Sequence, residues 1–236
     1  MSAQADTIKK ILKDTTPQQQ VMLVSIVLDE TGSMQACKDA TISGFNEYLT
    51  TLRQIVGDVR VTLTKFNSEK TEVVYAGQPL LHVRDLTDRS YQPVANTPLY
   101  DAIAAAIKAT QQARKSHPDS AVLFVIQTDG QENSSKQYDQ EQIVKLIKAR
   151  EKDGWTFVYL GANQDAWKVG QSLGMARANT MSYTHTTTDA AFKSLRSATL
   201  CYASQHTSGQ LQVGKASTKF FGDDTLTLKD PDEILS

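Results

Sequence analysis

The chain has 236 residues, 40% hydrophobic and 22% charged, which suits one large globular domain and excludes disordered or collagen-like classes. Lys plus Arg number 25 against 26 Asp plus Glu, a formal net charge of −1, so the basic excess that favours nucleic acid or anionic membrane is missing. No segment is apolar for long enough to span a bilayer. The polar residues 1–20, read as a partly helical arm, carry no apolar run after Lys9, Lys10 and Lys13, so the expected compartment is the cytoplasm.

In chain order, residues 21–28, VMLVSIVL, are continuously apolar and rich in β-branched side chains, the pattern of a strand buried on both faces. Asp29-Glu30-Thr31-Gly32-Ser33 follows, where Gly32 is expected to supply backbone freedom and Ser33 to cap the next helix. Met34, Cys37, Thr41, Phe45, Tyr48, Leu52 and Ile55 recur at steps of three or four, an amphipathic helix that Gly57-Asp58 stops. Residues 59–66 alternate as a second strand. Residues 71–76 form a short third one, ended by Gly77 and Pro79 and suited to a sheet edge. Residues 80–96 read mostly as loop. Pro98, as first helical residue, then opens a helix to about Ser116 that turns Leu99, Ile103, Ala106 and Thr110 to the sheet.

Residues 121–128, AVLFVIQT, are a second fully buried strand, ending at Asp129-Gly130. Helix 140–152, closed by Gly154, leads to strand 155–160, helix 165–173 and a short strand at 178–182. The last clear helix, 188–204, faces Phe192, Leu195, Thr199 and Tyr202 inward. Residues 206–236 leave open an edge hairpin or a flexible tail. Cys37 and Cys201 read as two buried small hydrophobes, not as a disulfide or a metal pair. Strands alternating with helices give βαβ units and a mostly parallel sheet covered on both faces.

In such sheets ligands sit outside the carboxyl ends of the strands, where strand order reverses. Asp29, Thr31, Ser33, Thr97 and Asp129 all fall just past strand ends or open a helix at that edge. Two carboxylates and three hydroxyls, with no sulfur or imidazole, suit a hard cation such as Mg²⁺ or Mn²⁺. Hydroxyls are neutral, so the ion stays electrophilic and can accept an acidic side chain from a partner. Each residue has a structural alternative: Ser33 and Thr97 as helix caps, Asp29 and Asp129 as Asx-turns. The convergence of all five, and the repulsion of two neighbouring aspartates, favour the cation.

Glu30, Gln131, Glu132, Asn133 and Asn163 sit in or beside the same loops and are candidates for a partner-binding rim. Asp101 reads as a favourable charge near a helix N-terminus, and His82, His117, His185 and His206 as ordinary surface residues. Asp223, Asp224, Asp230, Asp232 and Glu233 read as a solubilising tail; one of them filling the metal's open position in a neighbouring copy would give self-association.

The strand VMLVSIVL with Asp29-Glu-Thr-Gly-Ser-Met34, then Asn96-Thr97-Pro-Leu-Tyr-Asp-Ala102, then Gln127-Thr-Asp129-Gly resembles the von Willebrand factor type A domain. Each motif alone is weak or moderate; the three in this order are strong. The resemblance implies a Rossmann-like three-layer αβα sandwich over residues 21–205, its sheet mostly parallel with one antiparallel edge strand. It also implies a metal-ion-dependent adhesion site at Asp29, Thr31, Ser33, Thr97 and Asp129, holding Mg²⁺, with Mn²⁺ or Ca²⁺ as alternatives. Thr31 stands where the family most often has Ser, keeping the hydroxyl but adding a methyl that restricts its rotamer. The implied function is non-enzymatic: a cation-dependent adaptor or assembly module whose metal coordinates an acidic residue of a protein partner. An alternative is a Mg²⁺-dependent phosphotransferase or hydrolase of the haloacid dehalogenase type. That chemistry needs a second Asp two residues after the first, where this chain has Thr31. RNA binding, a third reading, lacks the necessary charge.

Overall fold

The computed structural model describes residues 20–210, 214–223 and 226–228, so the arm read over residues 1–20 lies, but for Gln20, outside them. The described strands are β1 (Val21–Asp29), β2 (Asp58–Phe66), β3 (Thr71–Pro79), β4 (Ala121–Thr128), β5 (Trp155–Ala162), β6 (Thr180–Tyr183) and β7 (Leu226–Thr227). The helices are α1 (Lys38–Leu52), α2 (Leu99–Arg114), α3 (Gln140–Lys152), α4 (Ala166–Ser172) and α5 (Thr188–Thr207). The strands make one sheet in the order β3-β2-β1-β4-β5-β6-β7. Every neighbouring pair is parallel except β2 and β3.

Alternation along the strands builds the two outer layers. In β1, Met22, Val24, Ile26 and Leu28 face a core closed by Phe45 and Leu49 of α1 and Phe192 and Leu195 of α5. Leu23 and Val27 face the other way, onto Ile103 and Ile107 of α2 and Ile143 and Ile147 of α3. A strand covered on both faces has to be apolar at successive positions, which is why the two most apolar segments, β1 and β4, lie side by side at the centre of the sheet. The result is the three-layer αβα sandwich with one antiparallel strand at an edge.

The departures from the sequence reading concern element ends. β3 runs on through Gly77 to Pro79, because register shifts against β2 between Val61 and Thr64 let the edge absorb residues that a regular ladder rejects. Pro98 is the N-cap of α2 and not its first helical residue. α1 is preceded by a 3₁₀ turn, Gly32–Cys37, whose N-cap is Thr31, so Ser33 lies inside a turn and caps nothing. α5 continues to Thr207, and β7 adds a parallel strand beyond β6. Ahead of β7, Phe220 packs against Tyr202, and Asn179 fastens the segment by donating to the carbonyls of Phe157 and Ser217 and accepting the Phe220 N–H. Cys37 is buried but Cys201 is exposed, since it lies off the stripe of Phe192, Leu195, Thr199 and Tyr202 that α5 turns inward. No helix among the described residues is long and apolar enough to cross a membrane.

Candidate metal centre

β1 and β4 are neighbours whose connections lead to opposite sides, β1 through α1 to β2 and β4 through α3 to β5. Their carboxyl ends therefore open the crevice where ligands of doubly wound sheets bind. Asp29 ends β1 and is fully buried. Its Oδ1 accepts the Thr31 N–H at 2.8 Å and its Oδ2 accepts the Thr128 hydroxyl at 2.5 Å. The Tyr91 hydroxyl donates to its backbone carbonyl at 2.6 Å. Burial pushes the Asp29 carboxyl up to about 6, the hydrogen bonds from Thr128 and Thr31 pull it down, and the nearby charge of Asp129 pushes it up again.

Asp129 follows β4 and has a side chain only 2% exposed. Its Oδ1 accepts the Ser33 hydroxyl at 2.6 Å, and the Thr31 and Ser33 hydroxyl oxygens lie 3.4 Å apart. Thr97 enters from the start of α2. It is buried, and its hydroxyl makes no hydrogen bond among the described residues. That hydroxyl lies so close to Gly130 that a Cβ there would stand 2.6 Å from Oγ1. Thr31, Ser33 and Thr97 thus have hydroxyls that cap no helix, and Ser33 opens the group to solvent. Gly32 is not in the left-handed region, and a Cβ there would meet only ordinary contacts. The left-handed residues at this edge are Ala95, at φ 62°, whose carbonyl accepts the Gly32 N–H, and Asn163, at φ 51°.

The expected rim divides. Glu30 points inward: both carboxylate oxygens lie 3.0 Å from Lys65 Nζ, and Oε1 accepts the Gln92 N–H at 2.6 Å, which locks the loop after β1 to residues 90–95. Glu132 accepts the backbone N–H groups of Tyr100, Ser134 and Ser135, so it holds a loop. Asn133 accepts the Thr97 N–H and sets the start of α2. Asp101 accepts the N–H groups of Lys136, Gln137 and Tyr138, a larger part than a charge at a helix end. Gln131, Asn133 and Asn163 are exposed, Gln131 and Asn163 on a cavity of about 490 Å³ that Tyr100, Gln164 and Lys168 also line.

One residue escaped the sequence reading. His185, taken as an ordinary surface residue, places Nε2 2.9 Å from Asp129 Oδ2. His206 is also buried, not superficial.

The donors fit a hard cation. Adjacent corners of an octahedron with bonds of about 2.0–2.1 Å lie about 3 Å apart, and the spacings of 2.6 and 3.4 Å among Thr31, Ser33 and Asp129 bracket that value. Among the described residues no group of three or more His, Cys, Asp and Glu side chains is disposed to hold a metal, so the hydroxyls would have to complete the shell.

Fold and crevice define the class: a Rossmann-like α/β domain with its oxygen-rich site at the switch between two central strands. More narrowly, the chain belongs to the von Willebrand factor type A domain family, whose sequence model matches residues 24–199. Domains of this family typically mediate protein–protein interaction, some of them metal-dependently, and generally are not enzymes. The dehalogenase-type alternative finds no support. Comparison with curated proteins gives no match. Among solved structures, proximal thread matrix protein 1 from the mussel byssus aligns with a TM-score of 0.56 at 14% identity, over 74% of this chain and 47% of that one. A von Willebrand factor type A protein from Catenulispora acidiphila aligns at 0.53 and 13%, over 77% and 43%. The chain spans less than half the length of either, and the likeness is one of fold.

Proposed function

We propose that this chain is a divalent-cation-dependent protein-binding module, with Asp29, Thr31, Ser33, Thr97 and Asp129 as its cation site and Mg²⁺ as the fitting ion. The observation that carries the reading is the buried Asp29 carboxylate, raised to about 6 with Asp129 nearby and the free Thr97 hydroxyl at the same turn. A bound cation would relieve that burial and repulsion. With Ser33 exposed, the ion would be reachable by an acidic side chain of a partner, and Gln131 and Asn163 on the neighbouring cavity would meet the residues flanking it. Domains of this family generally mediate protein interaction and are not enzymes, and on that ground the cation is assigned to recognition.

Calorimetric titration of Mg²⁺ and Mn²⁺ into the wild type and Asp29→Ala tests the site. Binding by the wild type and its loss in the variant are expected; equal binding by both, or none by the wild type, sinks the reading. Capture from a host extract should retain a set of proteins with the wild type that Thr97→Ala and chelator both release. A chelator-insensitive set would refute the role of the metal in recognition.

A further inference from the structure

The Asp129 carboxylate divides its oxygens between two partners of different kinds. Oδ1 takes the hydroxyl of Ser33, itself one of the five proposed donors, while Oδ2 takes Nε2 of His185, which is not. A carboxylate oxygen only accepts, so His185 must carry its proton on Nε2 there, and that nitrogen has no lone pair to offer a metal. The backbone of His185 is held by its own loop. The His185 N–H donates to Asn163 Oδ1, its carbonyl accepts the Thr188 hydroxyl, and Thr184 and Thr187 cap the short turn reciprocally. Asn163 is in turn fixed by donating its N–H to the Tyr183 carbonyl at 2.7 Å. A cation entering beside Ser33 would exchange the Oδ1 hydrogen bond for a metal bond and leave the Oδ2 bond intact.

From this geometry we infer that His185 is a positioning residue. It clamps Asp129 through Oδ2 so that Oδ1 faces the cation, and it ties the loop after β6 to the site. The inference rests on the cation site proposed above. Hydrogen-bonding partners of metal ligands typically govern affinity by about 10- to 100-fold. His185→Ala should therefore weaken Mg²⁺ binding by about that factor, while His185→Gln, which keeps a side-chain N–H, should recover most of it. In the metal-free state His185→Ala leaves one oxygen of a buried carboxylate without its partner and should melt somewhat lower, while His185→Gln should melt near the wild type. Titration calorimetry with Mg²⁺, metal-free melting curves and the electron paramagnetic resonance of the Mn²⁺-loaded protein test this together. Equal affinity in wild type and His185→Ala, failure of His185→Gln to rescue, loss of cooperative metal-free unfolding in His185→Ala, or a nitrogen directly coupled to Mn²⁺ would each overturn it. Absence of Mg²⁺ binding by the wild type would instead remove the site on which it rests.

Discussion

At Asp29, burial and charge work against ionisation while Thr128 and Thr31 work for it, and burial wins. Its folded value of about 6 lies above the ordinary 3.8, so the metal-free fold holds this proton more tightly than the unfolded chain does. The contribution to stability is therefore full below about 3.8 and is lost as pH rises through 6. The difference corresponds to about 3 kcal/mol. Metal-free wild type should thus lose stability relative to Asp29→Asn between pH 4 and about 6.5, followed by urea denaturation at fixed ionic strength. A constant difference across that range would contradict the assignment. Cation binding runs the other way, since it needs the carboxylate. The five residues proposed as donors stand out in the sequence because four of them lie in two tight loops directly after apolar strands and Thr97-Pro98 is a recognisable helix opening. His185 was not, although it lies two residues past the end of β6 at the same sheet edge. The expected end of that strand was placed earlier, and an isolated imidazole among threonines offers no spacing to read. Glu30 was misread for the opposite reason: its place in the loop was clear, but its inward turn depends on Lys65, 35 residues away.

Among the elements, the crossing of α1 and α5 depends on a side chain that is missing. Gly44 sits inside α1, where a Cβ would stand 2.2 Å from Cδ2 and 2.9 Å from Cβ of Phe192 on α5. Gly44→Ala would gain about 0.8–1.0 kcal/mol of helix propensity. Against that, overpacking of a well-filled core costs typically 1–3 kcal/mol. The ring cannot simply swing aside, because Phe192 Cβ itself is in the way. Net destabilisation of about 1–2 kcal/mol is expected by urea denaturation. A more stable variant would mean that α5 shifts freely over α1. Gly44 looks in the sequence like an interruption of a helix, and only the partner helix explains it. Element interiors were readable in this way from apolar period alone: β4 and α3 begin and end where the pattern does. Their ends were less so, because capping at Thr31 and Pro98 is decided by how the loops pack and not by which residues favour caps in general.

On the scale of the molecule, the sandwich does two things at once. Its apolar faces make β1 and β4 adjacent, which brings residues 29–33 and 129 together at one edge, and Thr97 joins them from the start of α2, against Gly130. The cost is a buried acid beside a second one, which is a local weakness unless a cation is present. Stability and occupancy should then be linked across the whole fold. An ion that binds only the native state, at 100 times its dissociation constant, adds about 2.7 kcal/mol. For a chain of this size each kcal/mol shifts the melting temperature by roughly 2–4 °C. Saturating Mg²⁺ is therefore expected to raise the melting temperature of the wild type by roughly 5–10 °C at neutral pH, and that of Asp29→Ala by almost nothing. Differential scanning calorimetry in chelator and in excess Mg²⁺ gives both numbers. A rise of the same size in the two proteins would place the stabilising ion somewhere other than the crevice between β1 and β4.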